Sequence, residues 1–243
     1  MNICFNGCSL TAGVGVAPEQ NYPSLIAKNT VRTTNIAVGG SSNYTIFMRS
    51  IDAVLSNQYD LVITQWSGLN RIWLSPGPGC DFFVNDTKTS DFTYRDLYLS
   101  ASEKKKFTDT LLLMNHDYKN IFELIDYCRV LSSIAKLNQT KVFFINGLLH
   151  WKEDLTLPIP SDLSMGLSHY TKLILDFDSR NNAEIIDLFS CLQDKFSTLD
   201  QELWVNLFDS FSSNQQDRGS DRLHPGPKSH QHMADKISNF LKI

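Results

Sequence analysis

Apolar positions along this chain follow two rhythms. Ile3-Cys4-Phe5, the β-branched run Thr33–Val38, Leu61-Val62-Ile63, Val142–Ile145 and Ile185-Ile186 are short continuous runs that read as buried strands. Between them, apolar residues recur every three or four positions. Ile46, Phe47, Ile51, Val54 and Leu55 form one such set, and Ile121, Leu124, Ile125, Cys128, Leu131 and Ile134 a second. Met233, Ala234, Ile237, Phe240 and Leu241 form a third. Each set marks a helix buried along one face. Tyr22–Ala27 starts a further helix with proline at an early position, and 170–177 another. Strands alternating with helices predict an α/β fold, with a parallel sheet, right-handed crossovers and helices on both faces.

Three stretches lack either rhythm. Leu10–Asn21 reads as a loop rich in Gly, Ala and Pro, and Leu148–Asp162 as a second irregular segment. The longest runs from 71 to about 115 and opens on Pro76-Gly77-Pro78-Gly79. It reads as an insertion in a single domain spanning 1–243, and a connection of that length commonly walls a binding site.

Composition narrows the function classes. With 243 residues, 42% of them apolar and 20% charged, the chain suits one globular domain with a sizeable core. A net charge of −4 argues against a nucleic-acid binder, and Lys104-Lys105-Lys106 reads as a solvated face. No apolar run approaches a membrane span, and no charged leader with an apolar core precedes the first strand. The five cysteines are scattered without C-x-x-C spacing, which fits reduced thiols. A cytoplasmic protein with no metal and no cofactor is the resulting expectation; oligomeric state is left open.

Candidate chemistry lies at the two ends of the chain. Gly7-Cys8-Ser9-Leu10-Thr11 follows the first strand, so Ser9 sits where open α/β sheets place reactive groups. Asp221-Arg222-Leu223-His224-Pro225 puts a carboxylate three residues before an imidazole, close enough to bond one ring nitrogen and leave the other as a base. Gly40 and Asn70 fall just beyond the second and third strands, along the same sheet edge as Ser9.

In that order these blocks resemble the SGNH hydrolases, the GDSL esterase/lipase superfamily. Gly7–Thr11 is similar to the family's G-D-S-L block, Asn35–Gly40 to the second, Gly68-Leu69-Asn70 to the G-x-N of the third, and Asp221–Pro225 to D-x-x-H-P. The resemblance implies a three-layer α/β/α sandwich of flavodoxin-like type, with a five-stranded parallel sheet in the order 2-1-3-4-5. It also implies a triad of Ser9, Asp221 and His224, and an oxyanion hole made by Ser9, Gly40 and Asn70. The implied activity is a serine esterase hydrolysing short acyl esters, O-acetyl on a carbohydrate first among them. An O-acyltransferase through the same acyl-Ser9, or a glycan-binding protein without turnover, are the alternatives. The implied partner is a small-molecule or glycan ester.

Two departures from the family stand out. Cys8 replaces the usual Asp before the serine, which changes the hydrogen bonding of the turn without removing a triad member. Arg71 follows Asn70 where Asp is frequent. Arg71 and Arg222 read most simply as solvent-facing; the sharper reading is a pair of guanidinium groups gripping an anionic substrate. Trp66, at the end of the third strand, is a candidate platform for a sugar ring.

Overall fold

The computed structural model describes residues 1–27, 32–68, 71–73, 81–83, 117–147, 198–206, 210–212 and 214–243. Strands β1 (Asn2–Asn6), β2 (Arg32–Asn35), β3 (Leu61–Trp66) and β6 (Lys141–Asn146) pair in parallel in the order β2-β1-β3-β6. That is the expected 2-1-3-4. The fifth position beside β6 is taken among the described residues by Trp204, which bridges in parallel to Phe144, with Val205 N donating to the Phe144 carbonyl at 2.9 Å. The expected fifth strand at Ile185-Ile186 and the helix at 170–177 lie outside the described residues.

Central strands are apolar because both of their faces are covered. Every residue of β3 is buried, as are Ile3, Cys4 and Phe5 of β1. Edge strand β2 is largely exposed and stops at Asn35, short of the expected Val38. Helix α3 (Asn43–Leu55) packs on α4 (Asp117–Leu137), while α2 (Tyr22–Ile26) packs on α5 (Pro227–Leu241), giving helices on both sides of the sheet. Each helix start has a local cause. Ser42 Oγ accepts Thr45 N at 3.3 Å to begin α3, and Asn21 Oδ1 accepts Ser24 N at 2.8 Å to begin α2. Among the described residues no helix is long and apolar enough to cross a membrane.

Two of the expected irregular stretches contain structure. Leu10–Asn21 carries a one-turn helix α1 (Ser9–Ala12) and a 3-10 turn (Pro18–Gln20), both too short to leave a periodic signal. Within 71–115, strands β4 (Arg71–Trp73) and β5 (Asp81–Phe83) pair antiparallel. Their Ile, Trp and Phe content suits strands, yet three residues are too few to register as alternation.

Candidate active site

The site is built where β1 ends. Asn6, fully buried, donates through Nδ2 to the Ile46 carbonyl at 2.7 Å and to Ser50 Oγ at 2.9 Å, and its Oδ1 accepts Gly7 N at 2.9 Å. The strand end is thereby anchored to α3. Gly7 must lack a side chain, because a Cβ there would fall 2.9 Å from Gln65 Cβ and against Thr11. Ser9 is then the first residue of α1, only 6% exposed. Cys8, at the N-cap, is buried and contributes no side-chain bond to the turn.

Gly39 lies beside that serine, and Gly40 follows it. A Cβ on Gly39 would stand 3.8 Å from Ser9 Cβ and 3.6 Å from Val14 Cγ2. Gly40 adopts φ +85°, and no atom lies within 4 Å of where its Cβ would be. A left-handed residue facing open space leaves its backbone accessible to a ligand. Asn70 and the Arg71 side chain lie outside the described residues. The chain leading to Asn70 is fixed by a reciprocal pair, Ser67 N to Asn43 Oδ1 at 2.7 Å and Asn43 Nδ2 to the Ser67 carbonyl at 3.2 Å.

Asp221 and His224 are paired. Asp221 Oδ2 stands 2.5 Å from His224 Nδ1, and Oδ1 accepts the backbone N–H groups of Leu223 and His224, each at 3.0 Å. Those two N–H bonds, the His224 one foremost, and then the imidazole contact hold the Asp221 carboxyl down at about 2. A carboxylate on Nδ1 fixes the ring tautomer and leaves the Nε2 lone pair free. The turn is tightened by Gly219 N to the His224 carbonyl at 2.8 Å, and by Arg222 at φ +60°, whose carbonyl accepts Arg218 Nη1 at 3.0 Å. Downstream, Asp217 takes Lys228 N at 3.0 Å and Ser229 N at 2.9 Å, starting α5 from outside the helix. Burial opposes ionisation of that carboxyl, but the N–H bonds outweigh it and hold the group below its ordinary range.

This turn docks on the segment that carries Ser9. Ser220 N and Ser220 Oγ both donate to the Gly15 carbonyl, at 2.8 and 3.1 Å. Gly15, at φ +91°, faces Asp221, and a Cβ there would lie 2.9 Å from Oδ1. The fold thus joins the 219–224 turn to the loop after α1, while Gly39 lies against Ser9. Gly15 and Ser220 carry no local mark in the sequence of a contact made some two hundred residues away. Arg222 is exposed.

Trp66 requires a correction. Its ring is wholly buried, tilted against Phe144 at 5.7 Å and Tyr127 at 6.5 Å, so it fills the core and offers no face to a sugar. The residue ends a strand covered on both sides, and its position along the sheet does not expose it.

No family model and no curated protein matches the sequence. Solved structures do match in shape. TesA is similar over 100% of this chain and 98% of its own, at a TM-score of 0.52 and 13% identity. A putative lipolytic protein of the G-D-S-L family from Desulfitobacterium hafniense DCB-2 covers 98% of each chain, at a TM-score of 0.47 and 10% identity. A catalytic mutant of Axe2, an acetylxylan esterase from Geobacillus stearothermophilus, covers 100% of this chain and 94% of its own, at a TM-score of 0.46 and 11% identity. The chain shares its overall fold, a parallel sheet with helices on both sides, with TesA.

Proposed function

We propose that this protein is a serine esterase of SGNH type, cleaving short acyl esters through an acyl-Ser9 intermediate. The observation that carries the reading is the Asp221–His224 pair, its turn bonded to the loop that leaves the Ser9 helix. In the proposed reaction His224 Nε2 accepts the Ser9 hydroxyl proton as Oγ attacks the ester carbonyl. The C=O bond becomes C–O⁻, met by the Ser9 and Gly40 N–H groups and the Asn70 amide. Each such donor contributes about 3–4 kcal/mol in the transition state. Collapse expels the alcohol, which takes the proton back from Nε2. Water then attacks the acyl-Ser9 by the same route. Asp221 holds the ring in orientation and stabilises its charged form.

The substrate in this reading is a small-molecule or glycan ester, with an O-acetylated carbohydrate first. Arg71 and Arg222 flank site residues in the sequence and would grip an acidic group on such a glycan. A fluorophosphonate probe tests the assignment. Labelling of the wild-type chain that vanishes in Ser9→Ala supports it; labelling that persists in Ser9→Ala, or a wild type that never labels, overturns it.

A further inference from the structure

We propose that Thr11, Tyr22, Gln65 and His230 form one buried polar cluster that sets the register of α1, which carries Ser9, against β3, which precedes Asn70 in the sequence, and α5, which follows His224. The proposal rests on the esterase reading of those three residues. All four cluster side chains are buried, and they come from α1, α2, β3 and α5.

Helix α1 needs such support. A four-residue helix cannot hold itself in water, and its N-cap Cys8 adds no side-chain bond. It is gripped instead at Thr11. The Thr11 carbonyl accepts Asn35 Nδ2 at 2.8 Å, and the Thr11 hydroxyl meets Tyr22 Oη at 2.7 Å and also Gln65 Oε1. An amide oxygen only accepts, so Gln65 Oε1 takes a proton from the Thr11 hydroxyl and, at 3.4 Å, from Tyr22 Oη. The two hydroxyls and the amide oxygen therefore form one mutually bonded group.

Tyr22 extends the cluster to the other end of the sequence. Its backbone N–H donates to His230 Nδ1 at 3.3 Å, and its ring stacks on the His230 imidazole at 5.9 Å with 22° between planes. His230 lies on α5, which follows the His224 turn directly, and Gln65 lies on the strand that leads to Asn70. The Gln65 amide fills space left by Gly147, whose Cβ would fall 2.9 Å from Gln65 Cδ. Apolar contacts tolerate small slides between elements, whereas buried directional bonds lose their partners when an element shifts. This is the physical reason for a polar cluster under a site whose parts come from distant segments.

These are positioning residues; none is placed on the reacting ester. Tyr22→Phe keeps the ring and deletes one proton. It should lower kcat for nitrophenyl acetate about tenfold with KM nearly unchanged, and slow fluorophosphonate labelling of Ser9 in parallel, as displacement of a reacting group does. Thr11→Ser should restore the rate and Thr11→Val should not. Tyr22→Phe added to Thr11→Val should cost less than the sum of the two, because both hydroxyls share the Gln65 oxygen. Wild-type kcat per folded molecule in both Tyr22→Phe and Thr11→Val would overturn the proposal. Should Tyr22→Phe not fold, Thr11→Val with Thr11→Ser as its rescue carries the test alone. Amide hydrogen exchange gives a reading independent of turnover. Faster exchange at 10–13 in Tyr22→Phe, with β1 unchanged, supports the cluster, and unchanged exchange overturns it. A wild type that never labels overturns the esterase reading alone.

Discussion

Gly15 and Asp221 meet where the loop after the Ser9 helix receives the His224 turn, so closely that a Cβ on Gly15 would stand 2.9 Å from Asp221 Oδ1. The same Oδ1 accepts two backbone N–H groups, while Oδ2 faces the imidazole. A side chain at residue 15 would therefore push directly on the group that orients His224.

Gly15→Ala carries two penalties. The left-handed backbone at φ +91° costs about 1 kcal/mol or more for a residue with a Cβ. The clash then displaces the Asp221 carboxylate, and a misplaced catalytic group commonly loses about 10²-fold in rate. Urea unfolding should show a modest loss of stability beside a much larger loss of ester hydrolysis. Wild-type kcat in a folded Gly15→Ala protein would show that Asp221 does not act through this contact.

Asp221→Asn should leave a folded protein with kcat lower by about 10²–10⁴, since an amide neither stabilises the imidazolium nor selects the same tautomer. The carboxyl, held at about 2, stays ionised across the working range. Its contribution to stability is present above the ordinary carboxylate value and is lost only as pH falls towards 2. Loss of activity between pH 5 and 7 would therefore not come from Asp221 protonation.

His230 should make the fold acid-sensitive at milder pH. Burial foremost holds it at about 4; the nearby Asp217 charge raises it and His224 lowers it. Below about pH 6.5 the unfolded chain binds a proton that the folded chain excludes, so stability falls as pH drops from 6.5 towards 4. The full effect is on the order of 3 kcal/mol. Urea midpoints of wild type and His230→Gln at pH 7.5 and 4.5 test this. The wild type should lose more between the two pH values, and equal losses would refute the assignment.

Short acyl groups should be cleaved faster than long ones. Between Arg71 and Leu111 aliphatic residues are sparse, a composition that does not line an acyl tunnel. Nitrophenyl esters from acetate to decanoate give the profile, and a preference for eight or more carbons would contradict it.

Local chemistry encodes part of this fold directly. The runs at 3–5, 61–63 and 142–145 became central strands because only a sheet covered on both faces buries such runs. Asp221 and His224 paired because three residues of a tight turn bring a carboxylate onto an imidazole. Tertiary structure decided what depends on contacts between distant segments. Trp66 reads the same in sequence whether it faces a ligand or Phe144, because a strand buried on both faces has no alternation to tell them apart. Gly15 became a wall for Asp221, and Gly147 a space for the Gln65 amide, only when segments far apart in the chain closed on each other. Neither glycine differs locally from one in an ordinary loop. The pairing of Thr11 with Tyr22 and of Tyr22 with His230 follows from the same closure, since a buried hydroxyl takes whichever partner the packing of helix on sheet supplies.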